Sequence, residues 1–301
     1  MTHLRCCWIT FALALAGLLP RCALAEEFWA DQSPEECIRC CPPRTLLQWA
    51  HGVEDEGGPP GRDEPLASDR PDFTEASTTV GRGVAQLEMG YTYISDSSGA
   101  DSVNAHSFPE TLLRVGAFAE WLEFRIAYNY ATEEGTLGAT AFSTRGSEDL
   151  YLGIKLGLTP QFGVLPEMSL MPQMTVPLGT DFSADEVLPG LSWLYGWDIT
   201  ERVGMGGSTQ FNKSVDADGS IYYELAQSVT MAFSLTERWG AYTEWFALFP
   251  SGAPIATNEH YFNGGFTFSV SNDLQLDVRA GLGLNEDADD FFSGVGLVRR
   301  F

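Results

Sequence analysis

Basic residues are scarce in this chain. Its 301 residues include 17 Lys and Arg against 41 Asp and Glu, which gives a formal net charge of -24. Proteins that bind nucleic acid use clusters of Lys and Arg to contact the phosphates, and the sequence holds no such cluster. The composition therefore predicts that nucleic acid is not a partner.

The chain also lacks an apolar run long enough for a membrane-spanning helix. The run from Ile9 to Leu19 is shorter than the ~20 apolar residues that such a helix needs. It follows Arg5 and precedes Ala23, Leu24 and Ala25, which have the spacing of a signal-peptidase site. We therefore predict that residues 1–25 are a signal peptide and that the chain is exported.

Cysteine is rare after the predicted signal peptide. Cys37, Cys40 and Cys41 are the three that remain, and one disulfide with a spare thiol is expected in an oxidising compartment. A Cys-x-x-Cys pair with no second pair and no nearby His is weak evidence for zinc. We predict no metal and no cofactor, and the role of the three cysteines stays open.

Residues 26–82 differ in character from the rest of the mature chain. They are acidic and are broken by Pro and Gly, as in VEDEGGPPGRDEP, which predicts a disordered acidic N-terminal tail. The tail ends with an entry segment that contains the motif DRPDFT, Asp69 to Thr74. We place this tail in the periplasm and assign residues 83–301 to a separate domain.

Segments of that second domain alternate apolar and polar side chains with a period of two. In LQLDVRAGLGL, Leu274 to Leu284, every second residue is Leu, Val or Ala, while Asp277 and Arg279 lie on the other face. A soluble sandwich also alternates, but it turns its apolar face inward. A transmembrane barrel is apolar outside and polar inside, so a strand that carries ions on one face fits that class best.

The count and the connections of these segments support the barrel. Short and long connections alternate, as in barrels with tight periplasmic turns and longer outer loops, and the long loops are acidic. We predict an all-β, antiparallel, up-and-down transmembrane β-barrel of about 12 strands with both ends in the periplasm, and a bulge at Pro172. The predicted strands are residues 84–94, 108–119, 122–130, 148–158, 166–177, 188–199, 203–212, 221–235, 239–249, 261–270, 274–284 and 291–301.

The last strand, FFSGVGLVRRF, resembles the terminal strand of bacterial outer-membrane barrels. In those proteins the final aromatic residue is read by the barrel-assembly machinery, so the resemblance implies that Phe301 is an assembly signal. Arg299 departs from the pattern because it lies on the lipid-facing side, where it can reach the headgroups. We expect the outer membrane of a Gram-negative bacterium as the location, with its lipids and the assembly machinery as partners.

Four segments resemble a known family. They are SDRPDFTEASTTVGRGVAQLEMGYTY, GSEDLYLGIKLGL, PGLSWLYGWDITERVGMGG and LQLDVRAGLGLNEDADDFFSGVGLVRRF. Together they are similar to the outer-membrane transporter family labelled "MetA-pathway of phenol degradation", over about residues 68–301. The resemblance implies an outer-membrane barrel that acts as a transporter or channel, and the family's label suggests aromatic solutes.

The interior face of the predicted barrel collects most of its charged residues. Barrels of about 8 strands are filled by side chains and those of about 16 leave a wide channel, so about 12 strands predict a narrow path. A narrow path with charges of both signs suits small polar or amphipathic solutes and modestly favours cations. The residues predicted to line it are Glu88, Glu110, Glu123, Asp149, Glu167, Asp198, Glu224, Glu244 and Asp277, with Arg114, Arg125, Lys155, Arg279 and Arg300.

Two features of the path stay open at this point. Asp69, Arg70 and Asp72 of the DRPDFT motif either form a gate that pairs with the interior charges or belong to a plain linker. The interior charges either line an open channel or pair with one another and fill the barrel. The second possibility makes the protein a closed structural or adhesive barrel without transport.

A lipid hydrolase is the third possibility and the one least favoured by the sequence. Such an enzyme needs a nucleophile beside a base, and the neighbours His106 and Ser107 are the obvious pair. Adjacent residues of an extended strand point to opposite faces, so these two side chains cannot meet. We predict that the protein is not an enzyme.

Overall fold

The computed structural model describes residues 43–47, 57–99 and 101–301. The chain divides into two compact units, Met1–Cys41 and Pro42–Phe301, and the first lies wholly outside the described residues. The predicted signal peptide, the cysteine pairing and most of the acidic tail therefore remain predictions. Within the described ranges, no helix is long and apolar enough to cross a membrane.

Twelve antiparallel barrel strands close into a barrel, which confirms the predicted fold. Neighbouring strands pair in sequence order around the sheet, and the last strand pairs with the first from Gln86↔Arg300 to Ser95↔Phe291. The strands are β1 (Ala85–Ser98), β2 (Asp101–Ser107), β3 (Thr111–Gly116), β4 (Leu122–Tyr128), β5 (Tyr130–Leu137), β6 (Thr140–Ser147), β7 (Leu150–Thr159), β8 (Glu167–Val176), β9 (Leu188–Thr200), β10 (Val203–Val215), β11 (Ile221–Ser234), β12 (Trp239–Ser251), β13 (Glu259–Ser271), β14 (Leu274–Gly283) and β15 (Phe291–Arg300).

Three of the twelve barrel strands are each divided by a break into two of the strands named above. Strand β2 leads into β3, β4 into β5, and β6 into β7, with short breaks between them. Around the closed barrel β1 is followed by β3, β4 and β7, whereas β2, β5 and β6 pair next to the far end of β1. The far end of β1 thus forms a β-ribbon with β2, β5 and β6. We call this end of the barrel the long-loop end.

The ribbon corrects two of the predicted loops. Residues 95–98, 101–107, 131–137 and 140–146 fall in predicted loops, but they form the end of β1, all of β2 and most of β5 and β6. Both faces of the ribbon are largely polar, so the apolar alternation that marks the other strands is absent there. Gly99 (φ 66°) and Gly138 (φ 60°) supply the left-handed conformation of its tight turns.

Side chains sort by parity into an exposed apolar set and a buried polar set, as predicted. In β14, Leu276 and Val278 are 41% and 46% exposed, whereas Asp277 between them is 6% exposed. In β4, Phe124 and Ile126 are exposed on either side of the buried Arg125. A soluble core would bury the apolar row instead, so the arrangement fits a barrel with lipid outside.

Pro172 interrupts strand pairing without producing a bulge at its own position. Strands β7 and β8 pair at Gly153↔Gln173 and at Leu156↔Leu170, and the register is unchanged across the gap between them. Proline has no N–H to donate to the ladder, which explains the gap. The register shift lies further along β7, between Gly157 and Thr159, so the predicted place of the bulge is wrong.

The sorting by parity predicts unequal tolerance of a new charge. Val278→Arg places a guanidinium against lipid near the middle of β14 and is expected to lower the free energy of unfolding by about 2–4 kcal/mol. Gln210→Arg, on the interior face of β10, is the matched control and is expected to cost much less. Urea unfolding in lipid vesicles, followed by tryptophan fluorescence, measures both, and equal losses would contradict the assigned orientation.

Candidate functional site

The segment that precedes β1 lies inside the barrel. Residues 57–82, called the entry segment below, include the buried side chains of Leu66, Asp69, Thr74 and Val80. They contact interior side chains of β1, β3, β4, β7, β12 and β14. These residues belong to the predicted periplasmic tail, and their contacts match the alternative in which the DRPDFT motif pairs with the interior charges.

One carboxylate of the entry segment contacts three cations of the barrel wall. Asp69 lies 3.3 Å from Arg114, 2.6 Å from Arg125 and 3.1 Å from Lys155, measured between side-chain oxygen and nitrogen. The three cationic side chains are almost completely buried. We call these four residues the Asp69 cluster. It joins one predicted gate residue to three residues of the predicted path.

The electrostatics of the Asp69 cluster favour the ionised carboxylate. Burial by itself raises the pKa of Asp69, but the three surrounding cations outweigh it and hold the pKa below the usual value of 3.8. Asp69 also accepts a hydrogen bond from the backbone N–H of Ala76 at 2.9 Å. Because removing one partner leaves buried charge unpaired, Asp69 is expected to be essential for holding the segment in place.

Two further interior acids complete the charge balance around Arg114. Glu123 lies 2.8 Å and Glu88 3.1 Å from its guanidinium, measured between oxygen and nitrogen. Both acids also bind the entry segment directly, because Glu123 accepts the N–H of Val80 and Glu88 that of Asp69. The predicted path residues on β1, β3, β4 and β7 therefore meet at a single site.

Arg70, the second predicted gate residue, pairs with acids outside the Asp69 cluster. Its guanidinium lies 2.9 Å from Glu110 and 3.4 Å from Asp277. Arg279 lies two residues from Asp277 on the same face of β14. Arg279 instead donates to the carbonyl oxygen of Pro71 and to the hydroxyl of Thr92, so Arg70 is the ion-pair partner of Asp277.

Glu244 on β12 holds the next part of the motif. Its carboxylate accepts the backbone N–H groups of Phe73 and Thr74 at 2.8 and 2.7 Å and the Thr74 hydroxyl at 2.7 Å. The side-chain amide of Asn263 donates to it as well. A carboxylate with this many donors is well satisfied in a buried position. The predicted path residue Glu244 thus serves as a fixed acceptor for the entry segment.

Two other acids of the entry segment have less favourable surroundings. Burial and the nearby charge of Glu244 raise the pKa of Asp72 well above its usual value. Burial also raises the pKa of Glu75, although Arg125 opposes the effect. The entry segment therefore combines one carboxylate that prefers to be charged, Asp69, with two that resist it.

Asp149, another predicted path residue, binds a loop at the long-loop end of the barrel. It accepts the backbone N–H groups of Leu178 and Ala184, and so it fixes the loop between β8 and β9. The same carboxylate lines a cavity of about 960 Å3 at the long-loop end. Glu110 lines this cavity too, and its ion pair with Arg70 connects the cavity wall to the entry segment.

The remaining interior charges lie nearer the ends of the barrel. Glu167 accepts the Gly58 N–H and the Ser77 hydroxyl, while Asp198 is exposed beside the turn to β10. Arg300 donates to the carbonyl oxygens of Gly61, Arg62 and Glu64. Glu224 lies toward the long-loop end, 3.4 Å from the Tyr222 hydroxyl.

Sequence reasoning missed an aromatic patch on the interior of the barrel. Phe246, Tyr261 and Phe292 lie on the polar parity of their strands, and the ring of Phe73 stacks on Phe246 at a centroid distance of 4.5 Å. The alternation of β12 does place Phe246 on the face of Glu244, two residues away. That shared face is the signal that places Phe246 inside the barrel, whereas the predicted interior residues are all charged.

The pair His106 and Ser107 is not assembled into a catalytic arrangement. The His106 ring is hydrogen-bonded to the Tyr91 hydroxyl on the outer face, and the Ser107 hydroxyl donates a hydrogen bond to Glu110 on the inner face. Among the described residues, no group of three or more His, Cys, Asp or Glu could hold a metal ion. Phe301, the predicted assembly signal, is 60% exposed, and its N–H donates to the carbonyl oxygen of Ala85.

Comparisons with known proteins bear on both family and fold. The sequence model of the family described as "Putative MetA-pathway of phenol degradation" matches residues 68–301. No curated protein matches the chain. The COG4313 outer membrane channel from Pseudomonas putida F1 is similar in structure, with a TM-score of 0.55 and 13% identity over 77% of this chain and 99% of that one. This likeness supports the barrel fold.

Two other solved barrels resemble the chain more weakly. The translocator domain of the autotransporter NalP from Neisseria meningitidis has a TM-score of 0.47 and 12% identity over 73% of this chain and 89% of that one. The CymD monoaromatic hydrocarbon channel has a TM-score of 0.39 and 8% identity, again over 73% and 89% of the two chains.

The contrast between the two aspartates of the motif predicts opposite effects of the same substitution. Asp69→Asn leaves the cluster's cations underpaired and is expected to lower the free energy of unfolding by about 3–5 kcal/mol near neutral pH. Asp72→Asn removes a carboxyl group whose charged form is disfavoured by burial, so it is expected to raise the free energy of unfolding. Urea unfolding measures both, with Glu186→Gln, at an exposed pair with Lys213, as a control that changes little.

The pH dependence follows from the direction of each shift. A carboxyl group with a raised pKa contributes stability that is lost as the pH rises from its usual value of 3.8 through the raised one. Asp69, with a lowered pKa, loses its contribution only on acidification below 3.8. Between pH 3.8 and neutral pH, the free energy of unfolding should therefore fall less in the Asp72→Asn variant than in the unmodified protein. The same pH profile in both proteins would contradict a raised pKa for Asp72.

Proposed function

The chain belongs to the family described as "Putative MetA-pathway of phenol degradation", and from that membership and the barrel interior we propose an outer-membrane channel for small polar or amphipathic solutes, closed at rest by its entry segment. The observation that carries the proposal is the Asp69 cluster, which fixes the entry segment inside the barrel by ion pairs. Polar contacts of this kind can be exchanged for contacts with water when the segment leaves.

The energetics of buried ion pairs support a gate. The attraction within the Asp69 cluster is largely offset by the cost of removing four charged groups from water, so its net contribution to docking is modest. Water that enters an opened barrel solvates the same groups again. Docking is therefore specific in its geometry without being irreversible, and an open state within a few kcal/mol of the closed one is consistent with this arrangement.

The route of a solute follows from the position of the cavity. A volume of about 960 Å3 accommodates a small organic molecule, and Asp149, Asp181 and Asp216 among its lining residues give it an acidic character. These acids favour cationic or neutral solutes over anions. Beyond the cavity, Glu110 contacts Arg70, so displacement of the entry segment opens the path toward the short turns.

The cellular setting is part of the same proposal. An N-terminal signal peptide and a Gram-negative outer membrane account for the export pattern of residues 1–25 and for the lipid-facing rows of the barrel. The short turns and the tail face the periplasm, and the barrel-assembly machinery reads Phe301. Outer-membrane lipids and a small solute are the remaining partners, and no catalytic step is needed.

A closed structural or adhesive barrel is the alternative that one observation favours. The Asp69 cluster, Glu88 and Glu123 are all paired, which is also what a permanently filled interior requires. The two functions differ in whether the entry segment ever leaves. A lipid hydrolase lacks this kind of support, because His106 and Ser107 lie on opposite faces.

Arg70 provides a direct test of the gate. Arg70→Met removes both ion pairs of this side chain and is expected to raise the single-channel open fraction in planar lipid bilayers at least about tenfold, the effect of ~1.4 kcal/mol. Arg82→Met is the matched control in the same segment. Arg82 is largely exposed and pairs only loosely with Glu120 at 3.7 Å, so no change is expected.

Deletion of residues 57–82 is the stronger form of the same experiment. If the entry segment is a gate, the variant without it should show steady conductance in planar bilayers. Liposomes that contain this variant should also swell in solutions of small solutes, because the solutes enter. If neither Arg70→Met nor the deletion conducts ions although both proteins fold and insert, the barrel is closed for structural reasons and the channel proposal is wrong.

A further inference from the structure

Three aromatic rings form a stack that crosses from the entry segment to the barrel wall. Phe73 stacks on Phe246 with ring centroids 4.5 Å apart and planes 4° from parallel. Phe246 stacks in turn on Tyr261, with centroids 4.7 Å apart and an angle of 18°. Phe292 packs edge-on against Tyr261 at 6.0 Å. This stack is an apolar site within an otherwise ionic interior.

The entry segment contributes one aromatic residue to this stack, and its placement is specific. Phe73 is the only aromatic side chain in residues 57–82. Its backbone N–H donates to Glu244 at 2.8 Å while its ring covers Phe246, two residues further along β12 on the same face. The wall thus binds a flat ring and an adjacent hydrogen-bond donor at the same time.

We propose that this position on β12 is a solute-binding site for a small planar aromatic molecule that carries a hydroxyl or amine donor, and that Phe73 occupies it in the closed state. The solute ring stacks on Phe246 and its donor binds Glu244, which replaces both contacts of Phe73. The inference rests on the proposed gate, because the solute and the entry segment compete for one position.

The physical chemistry of the site matches this class of solute. Aromatic rings gain from parallel contact beyond the area they bury, so a flat ring has an advantage over an aliphatic ring of similar size. The guanidinium of Arg279 lies 5.7 Å from the ring centre of Phe292 and adds a cation to the edge of the patch. Glu244, held by Asn263 as well, remains a positioned acceptor when Phe73 leaves.

Competition has a consequence for gating. A solute that binds at Phe246 excludes the ring of Phe73, so it stabilises only the state in which the entry segment is displaced. Such a ligand shifts the population toward the open barrel by its differential affinity for the two states. The channel should therefore open more often in the presence of the molecules that it carries.

The test compares phenol with cyclohexanol, which has a similar size and the same hydroxyl group but no planar ring. In planar bilayers that hold the full-length protein, phenol is expected to raise the open fraction about two- to tenfold more than cyclohexanol, the range of an aromatic contact. Phe246→Leu should remove this difference. Phe268→Leu, which changes a ring paired with Trp239 on the lipid-facing side, should retain it.

A binding measurement covers the case in which Phe246→Leu fails to fold. Phe73→Ala vacates the site, so it should bind phenol at lower concentration than the unmodified protein does, measured by ligand-observed NMR in detergent. The same gain with cyclohexanol would overturn the proposal, because it would indicate a site that selects no aromatic ring.

The outcomes separate this inference from the proposed gate. Equal responses to phenol and cyclohexanol, or a phenol response that persists in Phe246→Leu, would overturn the aromatic site. If Arg70→Met opens the channel while phenol has no effect, the gate stands and the site is wrong. If Arg70→Met, the deletion and phenol all leave the bilayer silent, both proposals fail.

Discussion

The pairing of two arginines across neighbouring strands is the constraint on which the interior depends. Strands β3 and β4 place Arg114 directly opposite Arg125, and β7 adds Lys155 beside them. Like charges in such positions repel one another, and the interior of a barrel offers too little water to screen them. Glu88 and Glu123 of the wall offset part of this repulsion, and Asp69 of the docked entry segment, which lies among all three cations, offsets more of it.

The two aspartates of DRPDFT have opposite effects on how firmly the entry segment is held. Asp69 lies among cations and prefers to be charged, whereas Asp72 lies near Glu244 and prefers to be neutral. One therefore holds the segment in the barrel, while the other limits how tightly it is held. The ring of Phe73 between them adds an apolar contact, so ionic, hydrogen-bonding and aromatic contacts occur within six residues of chain.

The sequence was informative about the wall because a strand imposes a period of two on its side chains. The rows of β14 and β4, including Asp277 and Arg125, follow from that period alone. The ribbon of β2, β5 and β6 was missed because both of its faces are polar. The contact of Asp69 with Lys155, across 86 residues, has no local signal, so the motif could be singled out without its partners being identified.

The central claim is that the entry segment must leave the barrel before solutes can pass. Thr74 and Ser228 are suitable for locking it, because their hydroxyl oxygens are 2.6 Å apart across the segment and β11. The double variant Thr74→Cys with Ser228→Cys, without the native cysteines, should be silent in planar bilayers when oxidised and should regain the channel activity of the unmodified protein after reduction. Equal conductance in both redox states, with the disulfide confirmed by mass spectrometry, would contradict the account.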